Sequence, residues 1–191
     1  MRNRRLQLIT KTGILSSLAF LLFLFEFPLP FFPPFLQFDL GDLPAIIGAF
    51  SLGPWVGVAI QLIKNILHLL LRSQTGGIGE LGNFLTGSAY VLTASLLYFR
   101  NKSKKTAVIG LSLATVVMAI AMCFFNFFVL IPAFTKQPVS LALLPMILTS
   151  ILPFNLIKGI LISGITLLLY KKLSPILHSE VYSETLERTA K

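Results

Sequence analysis

Two aspartates, Asp39 and Asp42, lie in the stretch FDLGDLPAII, whose other residues are glycine or apolar. Paired carboxylates that share a proton are the catalytic groups of aspartic proteases. In membrane-embedded proteases of this kind the two acids come from facing helices, whereas these two lie within four residues and lack the GxGD form. We therefore expect neither acid to be catalytic.

The two acids have different expected roles. Asp42 is followed by Pro44, and an acid with a nearby proline is typical of the first turn of a helix, where the acid suits the helix dipole. Asp39 comes before that turn, faces the loops expected outside the cell, and is predicted to order the gate that they form or to pair with Lys64 or Arg72.

Lysines and asparagines also occur inside long apolar segments: Lys64 in QLIKNILHLLL, Asn126 in CFFNFFVLIP, and Asn155 with Lys158 in PFNLIKGILISG. A charge at the centre of a membrane helix costs about 2.5 to 3.5 kcal/mol, so each lysine needs a partner or a function. The amide of Asn126 would be satisfied by a planar ligand held between the rings of Phe124, Phe125, Phe127 and Phe128. Asn155 and Lys158 share one helix face and are suited to hydroxyls or a carbonyl-rich ring.

A polar stripe is predicted on the third helix, because four polar residues recur at spacings of three and four. The stripe consists of Gln61, Lys64, Asn65 and His68. Glu80 and Asn83 form a second polar pair at a spacing of three. There is an equal case for a structural role, in which Lys64 or His68 pairs with an acid and holds the helices together.

Motifs of familiar enzymes are absent from the sequence. It has no GxxxxGK[ST] phosphate-binding loop, no GxSxG motif and no HExxH motif. His68 and His178 lie far apart and the single cysteine, Cys123, lies in an apolar run, so neither a metal site nor a disulfide framework is expected. The expected protein is not an enzyme and has no ATPase site of its own.

The composition indicates a membrane protein. Hydrophobic residues make up 55% of the chain and charged residues 12%, and the mean hydropathy is +0.84, whereas soluble domains are about 25% charged. Apolar runs near the length that crosses a bilayer recur along the chain. The basic residues lie between these runs and not on a DNA-binding face, so no nucleic-acid partner is expected.

Six helices are predicted in an all-α bundle that spans the membrane, at about residues 8–27, 42–52, 54–71, 79–99, 106–131 and 148–170. The stretch FPLPFFPPFLQ separates the first two, because a continuous helix cannot accommodate its prolines. The second helix is too short to span the bilayer untilted, so it must be buried by protein, tilted or interfacial.

The positions of lysine and arginine predict the orientation. Of the 16 such residues, twelve cluster at the start of the chain, after the fourth helix and at the end. The opposite side carries only Arg72 and Lys136. Both termini are therefore expected in the cytoplasm, with residues 1–173 forming the membrane domain and residues 174–191 a polar cytoplasmic tail.

Several segments resemble the riboflavin-specific substrate-binding subunits of energy-coupling factor (ECF) transporters. They are FDLGDLPAIIGAFSLGPWVGVAIQLIKNILH and GIGELGNFLTGSAYVL, with FEFPLP before them and FNFFVLIPAF and LPFNLIKG after them. The ordered pattern GD-hydrophobic-PA, GP, KN-x-x-H and GE-x-x-NF makes the match specific. It implies a six-helix bundle in the cell membrane of a prokaryote that needs no cofactor and captures riboflavin outside the cell for an ABC-type importer.

The resemblance also implies partners. These are a transmembrane coupling subunit and two ATP-binding cassette ATPases. The coupling contact of the family is a small-x-x-x-small motif on the first helix, usually with alanines, and the matching positions here are Gly13 and Ser17 in KTGILSSLAF. Since both side chains are small, close helix approach is expected to survive.

The resemblance and the residue pattern agree on a ligand site. Asn126 is expected to bond the edge of the flavin ring, and Asn155 and Lys158 to bond ribityl hydroxyls or a ring carbonyl. Loops at residues 37–40 and 75–80 are expected to cover the ligand. The predicted substrate-binding residues are Asn126, Asn155, Lys158, Gln37, Phe38, Asp39, Leu40, Gly79, Glu80 and Asn83.

Other functions remain open at this stage. Another vitamin or a flavin nucleotide is an alternative substrate, although a phosphate would require more cations than Lys158 and Arg72. A stand-alone ion-coupled carrier would use acids such as Asp39, Asp42 and Glu80, with Lys64, to relay protons. A membrane structural protein without a ligand is the third alternative.

Overall fold

The computed structural model describes residues 2–136 and 138–169, which contain six helices. These are α1 (Arg2–Leu24), α2 (Asp42–Leu52), α3 (Pro54–Arg72), α4 (Ile78–Arg100), α5 (Lys104–Thr135) and α6 (Leu141–Leu169). The prediction of an all-α bundle of six helices is confirmed. The predicted tail at residues 174–191 lies outside the described residues.

Three helices extend well beyond a predicted end. The helix α1 begins at Arg2 rather than near Leu8, because arginine is a good helix former and the end of the apolar run does not end the helix. The helix α5 continues to Thr135 through a π-helical segment, Asn126–Leu130. The helix α6 begins with a 3-10 turn at Leu141–Leu143 and contains a second π-helical segment, Ile147–Ile151.

The proline-rich stretch after α1 forms a small antiparallel hairpin. Its strands are β1 (Phe27–Pro28) and β2 (Gln37–Phe38), with Phe27 opposite Phe38 and Pro28 opposite Gln37. The prolines were correctly predicted to break the helix, but nothing in the sequence predicted the strand pairing. The hairpin returns the chain to the end of α1 before α2 begins.

The short helix α2 is mostly enclosed by protein. It packs against α1, α3 and α4, and its buried residues include Ala45, Ile46, Ala49 and Phe50. Its sharp connection to α3 depends on Gly53, whose φ of 122° is accessible to glycine but not to other residues without strain. Pro54 then occupies the first turn of α3, where its missing N–H group is harmless.

Two clusters of buried apolar side chains hold the bundle together. The larger contains residues from all six helices, and its many alanines allow the helices to approach closely. The smaller joins the β2 region to the irregular parts of α5 and α6, through Leu36, Phe38, Ile131, Ile151 and Phe154.

The outer surface of the bundle is apolar. The helices α1, α3, α5 and α6 each contain a stretch that is long and apolar enough to cross a membrane. Large hydrophobic side chains such as Ile9, Leu70, Phe124 and Leu168 are exposed on these helices. Such a surface suits lipid and not water.

Candidate functional site

A cavity of about 820 Å³ lies at the end of the bundle that carries the hairpin. All six helices contribute to its lining, together with residues 34–37 and 39 of the hairpin segment and residues 74–75 of the α3–α4 loop. Met118 of the larger apolar cluster lines one part, and Leu36, Ile131 and Phe154 of the smaller cluster line another. This volume falls within the range of about 300 to 1,000 Å³ that is usual for small-molecule sites.

Lys158 bridges the two aspartates at the wall of the cavity. Its Nζ lies 2.6 Å from Asp39 Oδ2 and 3.3 Å from Asp42 Oδ2. The prediction that Asp39 pairs with Lys64 or Arg72 is wrong, because α6 brings Lys158 to it and Arg72 donates instead to the carbonyl of Leu24 at 2.8 Å. An ammonium group has three N–H donors, and these two contacts use two of them.

Lys64 is fully buried and pairs with Asp42. Its Nζ donates to Asp42 Oδ1 at 2.5 Å, and Gln61 Nε2 donates to the same oxygen at 2.9 Å. Asp42 begins α2 as predicted, but its carboxylate makes no capping bond and instead binds side chains of α3 and α6. The ammonium of Lys64 also lies 5.0 Å from the centre of the Phe23 ring, within reach of a cation–π contact.

Gly41 allows the two aspartates to sit this close to α1. Its backbone N–H donates to Asp39 Oδ1 at 2.8 Å. A Cβ atom at Gly41 would lie 2.8 Å from the carbonyl oxygen of Ala19 on α1. The LGD sequence therefore fixes the loop through a side-chain bond and a backbone contact that only glycine permits.

A second polar cluster surrounds His68 on α3. Its Nδ1 lies 2.9 Å from Glu80 Oε1, and its Nε2 lies 3.5 Å from Glu26 Oε1. Glu80 Oε2 accepts a bond from the hydroxyl of Thr75 at 2.8 Å, which ties α4 to the α3–α4 loop. When the Gln37 amide is assigned the orientation that places its nitrogen towards Glu26, this nitrogen lies 3.1 and 3.2 Å from the two Glu26 carboxylate oxygens and can donate to both. The cluster therefore joins the link between α1 and β1, the strand β2, and the helices α3 and α4 around the cavity.

The buried polar residues of α3 do form one stripe, as the spacing predicted. Gln61, Lys64, Asn65 and His68 are all at most 5% exposed. The structural interpretation of Lys64 and His68 as partners of acids is confirmed by their contacts with Asp42, Glu80 and Glu26. His68 also faces the cavity.

Asn126 is the first residue of one π-helical segment, and Asn155 lies one helical turn after the end of the other. The Nδ2 of Asn126 donates to the carbonyl of Met122 at 2.9 Å, and the Nδ2 of Asn155 donates to the carbonyl of Ile151 at 2.8 Å. Asn126 Oδ1 is buried and has no hydrogen-bond partner among the described residues. π turns often occur at functional sites, and both asparagines line the cavity.

The aromatic lining differs from the prediction. Phe124 and Phe128 are 61% and 56% exposed on the outside of α5, and Phe125 packs against Gly82 of α4. Neither these three nor Phe127 lines the cavity, because the helix turns them away from the side that carries Asn126. The aromatic side chains that do line it are Phe23, Phe35, Phe134 and Phe154.

Most of the predicted substrate-binding residues lie together at the cavity. Eight line it: Gln37, Asp39, Gly79, Glu80, Asn83, Asn126, Asn155 and Lys158. Phe38 and Leu40 do not; both pack into the apolar clusters, because alternate residues of the extended segment point away from the cavity. Sequence reasoning missed Glu26 and His68 as lining residues, although both are polar residues in apolar surroundings.

The predicted coupling positions lie far from the cavity lining, on the surface of α1. Gly13 and Ser17 are exposed, and no atom lies within 4 Å of a Cβ built on Gly13. The Ser17 hydroxyl donates to the Gly13 carbonyl at 3.0 Å, so it is bonded within its own helix. The side chains at these two positions of α1 are therefore small, and the Ser17 hydroxyl already has a hydrogen-bond partner within the helix.

The family model described as the substrate-specific component of the ECF transporter matches residues 7–170. This chain belongs to that family. The matched residues include nearly all of α1 and the whole of α2 to α6, so the family assignment applies to the complete bundle.

Curated relatives of this substrate-specific component are named as transporters. This chain is 39% identical over 177 residues to the riboflavin transporter RibU of Staphylococcus aureus (strain TCH60), and the alignment covers 91% of this chain and 92% of the relative. It is 36% identical over 170 residues to the riboflavin transporter FmnP of Bacillus subtilis (strain 168), covering 85% and 90%. These relatives are transport proteins and not enzymes.

Solved structures agree with the fold. An S component of a bacterial ECF transporter superimposes with a TM-score of 0.79 at 38% identity, covering 93% of this chain and 99% of that one. ThiT from Listeria monocytogenes gives a TM-score of 0.58 at 20% identity, which shows the shared fold alone. The predicted family, the helical bundle and the multi-pass membrane location are therefore confirmed.

Proposed function

We propose that this substrate-specific component binds riboflavin in the cavity. The observation that carries the proposal is the cavity of about 820 Å³ whose lining includes Asn126, with a buried acceptor, Asn126 Oδ1, that has no hydrogen-bond partner among the described residues. A buried polar group left without a hydrogen bond costs about 1 to 3 kcal/mol. The flavin ring carries an N–H group between two carbonyls, and this donor would satisfy the asparagine oxygen.

The remaining polar lining suits the rest of the molecule. The third N–H donor of Lys158 and the side-chain oxygen of Asn155 offer contacts to a ring carbonyl or to ribityl hydroxyls. Gln37, Glu80 and Asn83 lie on the hairpin and on α4, where they would cover the ligand. The apolar faces of the ring would contact side chains such as Phe154.

The size of riboflavin gives a first estimate of its affinity for the site. Its roughly 27 non-hydrogen atoms at about −0.3 kcal/mol each give about −8 kcal/mol, which corresponds to micromolar binding. The ion pairs that already hold Lys158 and the loops would reduce the cost of ordering the site, and preorganisation of this kind is what raises affinity beyond that value.

Capture from outside the cell and delivery through partners complete the proposal. The cavity lies at the end of the bundle whose loops carry few basic residues, and this is the end that the positive-inside rule assigns to the exterior. The exposed Gly13–Ser17 face of α1 would contact the transmembrane coupling subunit, which in turn binds two ATPases. Small residues at such a face allow two helix backbones to approach closely.

A flavin titration tests the proposal. The protein is purified in detergent, freed of any bound flavin by partial unfolding and washing, and titrated against riboflavin while flavin fluorescence is followed. We expect quenching at one equivalent, and Asn126→Ala should weaken binding by about 1 to 3 kcal/mol through the lost buried contact. Asn101→Ala, at an exposed position at the other end of α4, is the matched control and should bind like the wild type.

Two outcomes would contradict the proposal. Absence of quenching with the wild-type protein would refute riboflavin binding, and wild-type affinity in Asn126→Ala would place the ligand elsewhere. Riboflavin transport by this chain alone in vesicles, abolished by an uncoupler, would support the stand-alone carrier instead.

A further inference from the structure

The short loop between α4 and α5 is strongly basic. Four of the six residues from Arg100 to Lys105 are lysine or arginine, and none is acidic. Arg100 ends α4, Lys104 and Lys105 begin α5, and all three side chains are exposed. No carboxylate of residues 2–136 and 138–169 lies near these cations, because all four line the cavity at the opposite end of α4 and α5. These four are Glu26, Asp39, Asp42 and Glu80.

The loop is held in a defined geometry. The Ser103 hydroxyl accepts a bond from the backbone N–H of Thr106 at 3.2 Å, and the Thr106 hydroxyl accepts one from the backbone N–H of Ser103 at 3.2 Å. This capping box fixes the start of α5. A Cβ atom at Gly110 would lie 2.7 Å from the carbonyl oxygen of Ala94, so the two helices run close together near this end. The cations are therefore presented on a short, capped turn.

Two of the lysines are placed unfavourably for their own helix. The N-terminus of a helix carries a partial positive charge, which acids stabilise and cations destabilise. The first turn of α5 contains Lys104 and Lys105 and no acid. A third ammonium lies at the same end, where Lys102 Nζ is 4.6 Å from the centre of the Phe99 ring. An anion bound at this loop would offset the repulsion among these charges.

The cations lie beside surfaces that suit acyl chains. Leu96, one turn before Arg100 on the same face of α4, is 55% exposed. Ile109, one turn after Lys105 on the same face of α5, is 50% exposed. A cation next to an apolar surface matches the order of groups in an anionic phospholipid, whose phosphate is followed by hydrocarbon. A free anion or an acidic protein surface would match the cations alone.

We infer that the loop between α4 and α5 binds the headgroup phosphate of an anionic phospholipid, whose acyl chains lie along the two helices. The inference concerns a surface remote from the cavity and does not depend on the proposed function. Each lysine or arginine close to an anionic membrane surface contributes about fivefold to the attraction. Basic residues that only set the orientation of a membrane protein would give no preference for anionic lipid at this particular loop.

Quenching of a single tryptophan by brominated lipids tests the inference. Trp55, the one tryptophan of the chain, is first replaced by phenylalanine. A new tryptophan is introduced either as Leu96→Trp, beside the loop, or as Leu81→Trp, an exposed position near the cavity end of the same helix. Each protein is reconstituted into phosphatidylcholine vesicles that contain a minor share of phosphatidylglycerol, with bromine on the acyl chains of one lipid or the other. Both leaflets have the same composition, so the orientation of the inserted protein does not affect the comparison.

The two reporters should give different results. With Leu96→Trp, each molecule of brominated phosphatidylglycerol should quench at least about fivefold more strongly than each molecule of brominated phosphatidylcholine. With Leu81→Trp, the two lipids should quench equally, because no basic cluster lies at that end of α4 in the described residues.

Two charge variants locate the preference. Both are made in the Leu96→Trp protein, both remove three positive charges, and circular dichroism checks that their helix content is unchanged. The loop variant should lose the preference for phosphatidylglycerol, whereas the N-terminal variant should keep it. The substitutions are Lys102→Gln, Lys104→Gln and Lys105→Gln in the loop variant, and Arg2→Gln, Arg4→Gln and Arg5→Gln in the N-terminal variant.

Several outcomes would overturn the inference. Equal quenching by the two lipids in Leu96→Trp does so without any charge variant having to fold. The inference also fails if Leu81→Trp shows the same preference, if the loop variant keeps it, or if the N-terminal variant loses it equally. Loss of the preference on addition of inorganic phosphate would assign the loop to a free anion. Absence of any lipid preference, with loss of co-purification of the coupling subunit in the loop variant, would assign it to a protein surface.

Discussion

Substitutions of Lys64 and Asp42 should have strongly coupled effects on the free energy of unfolding, because the two side chains form a buried ion pair. Its two groups lie 2.5 Å apart with at most 3% of either side chain exposed. We consider Asp42→Asn, Lys64→Met and the double variant. The two single variants should differ, because Asp42 keeps Gln61 and Lys158 as partners when Lys64 is removed. Lys64 has no second carboxylate among the described residues.

The magnitude follows from the distances and the burial. At an effective dielectric of about 20 the attraction at this separation is roughly 7 kcal/mol, and desolvation of the two ions offsets much of it. Removing one member of a buried pair costs about 3 to 5 kcal/mol, because the other charge is left unpaired. We expect that cost for Asp42→Asn and about 1 to 3 kcal/mol for Lys64→Met. The double variant should cost less than Asp42→Asn alone, since no unpaired ammonium remains.

The assay is unfolding in mixed micelles by titration with a denaturing detergent, followed by circular dichroism. The coupling energy is the difference between the cost of the double variant and the summed costs of the single variants. We expect about 3 kcal/mol, and Lys105→Met, at an exposed position, should leave stability unchanged within about 0.5 kcal/mol. Additive single variants, with a coupling energy below about 0.5 kcal/mol, would refute the reasoning, because the pair would then not be a buried ion pair in the folded protein.

Two further predictions concern Gly41 and the surface of α1. Gly41→Ala should lower the free energy of unfolding by about 1 to 3 kcal/mol, because the new Cβ atom would lie 2.8 Å from the backbone oxygen of Ala19. Unchanged stability in the same detergent titration would contradict the close approach of this loop to α1. The double variant Gly13→Leu, Ser17→Leu should still quench riboflavin fluorescence but should no longer co-purify with the coupling subunit and its ATPases. Retained co-purification would place the coupling contact on another face.

The helices could be predicted from the sequence because each apolar run is a local property. Composition, run length and the prolines were enough to locate six helices to within a few residues at most ends. The largest errors fall at residues 2–7, 132–135 and 141–147, which the structure adds to α1, α5 and α6. In α5 and α6 the added residues lie beside π-helical segments or include a 3-10 turn. Such turns depend on packing around the cavity and have no simple sequence pattern.

The pairing of charges could not be predicted, because it depends on contacts between residues distant in the chain. Lys158 meets Asp39 across 119 positions, and Lys64 meets Asp42 across 22. The sequence showed that each lysine required a partner but left several acids available. It also showed Asn126 among phenylalanines, yet the direction in which a helix turns each ring depends on its neighbours, and those rings face away from the cavity.

The ion pairs explain how one set of residues can serve both membrane insertion and the proposed ligand binding. A lysine without a partner on α3 or α6 would be costly in a bilayer. Asp39, just before α2, and Asp42, at its start, offset that cost only if this part of the chain packs against both α3 and α6. Their meeting point is the wall of the cavity, where Lys158 is held by Asp39 and Asp42 with a donor still available to a ligand. The short helix α2 is essential to this arrangement: a helix that spanned the bilayer could not begin at the depth where Asp42 reaches both lysines. The residues that make the fold tolerable in lipid are therefore the same ones that shape the polar side of the site.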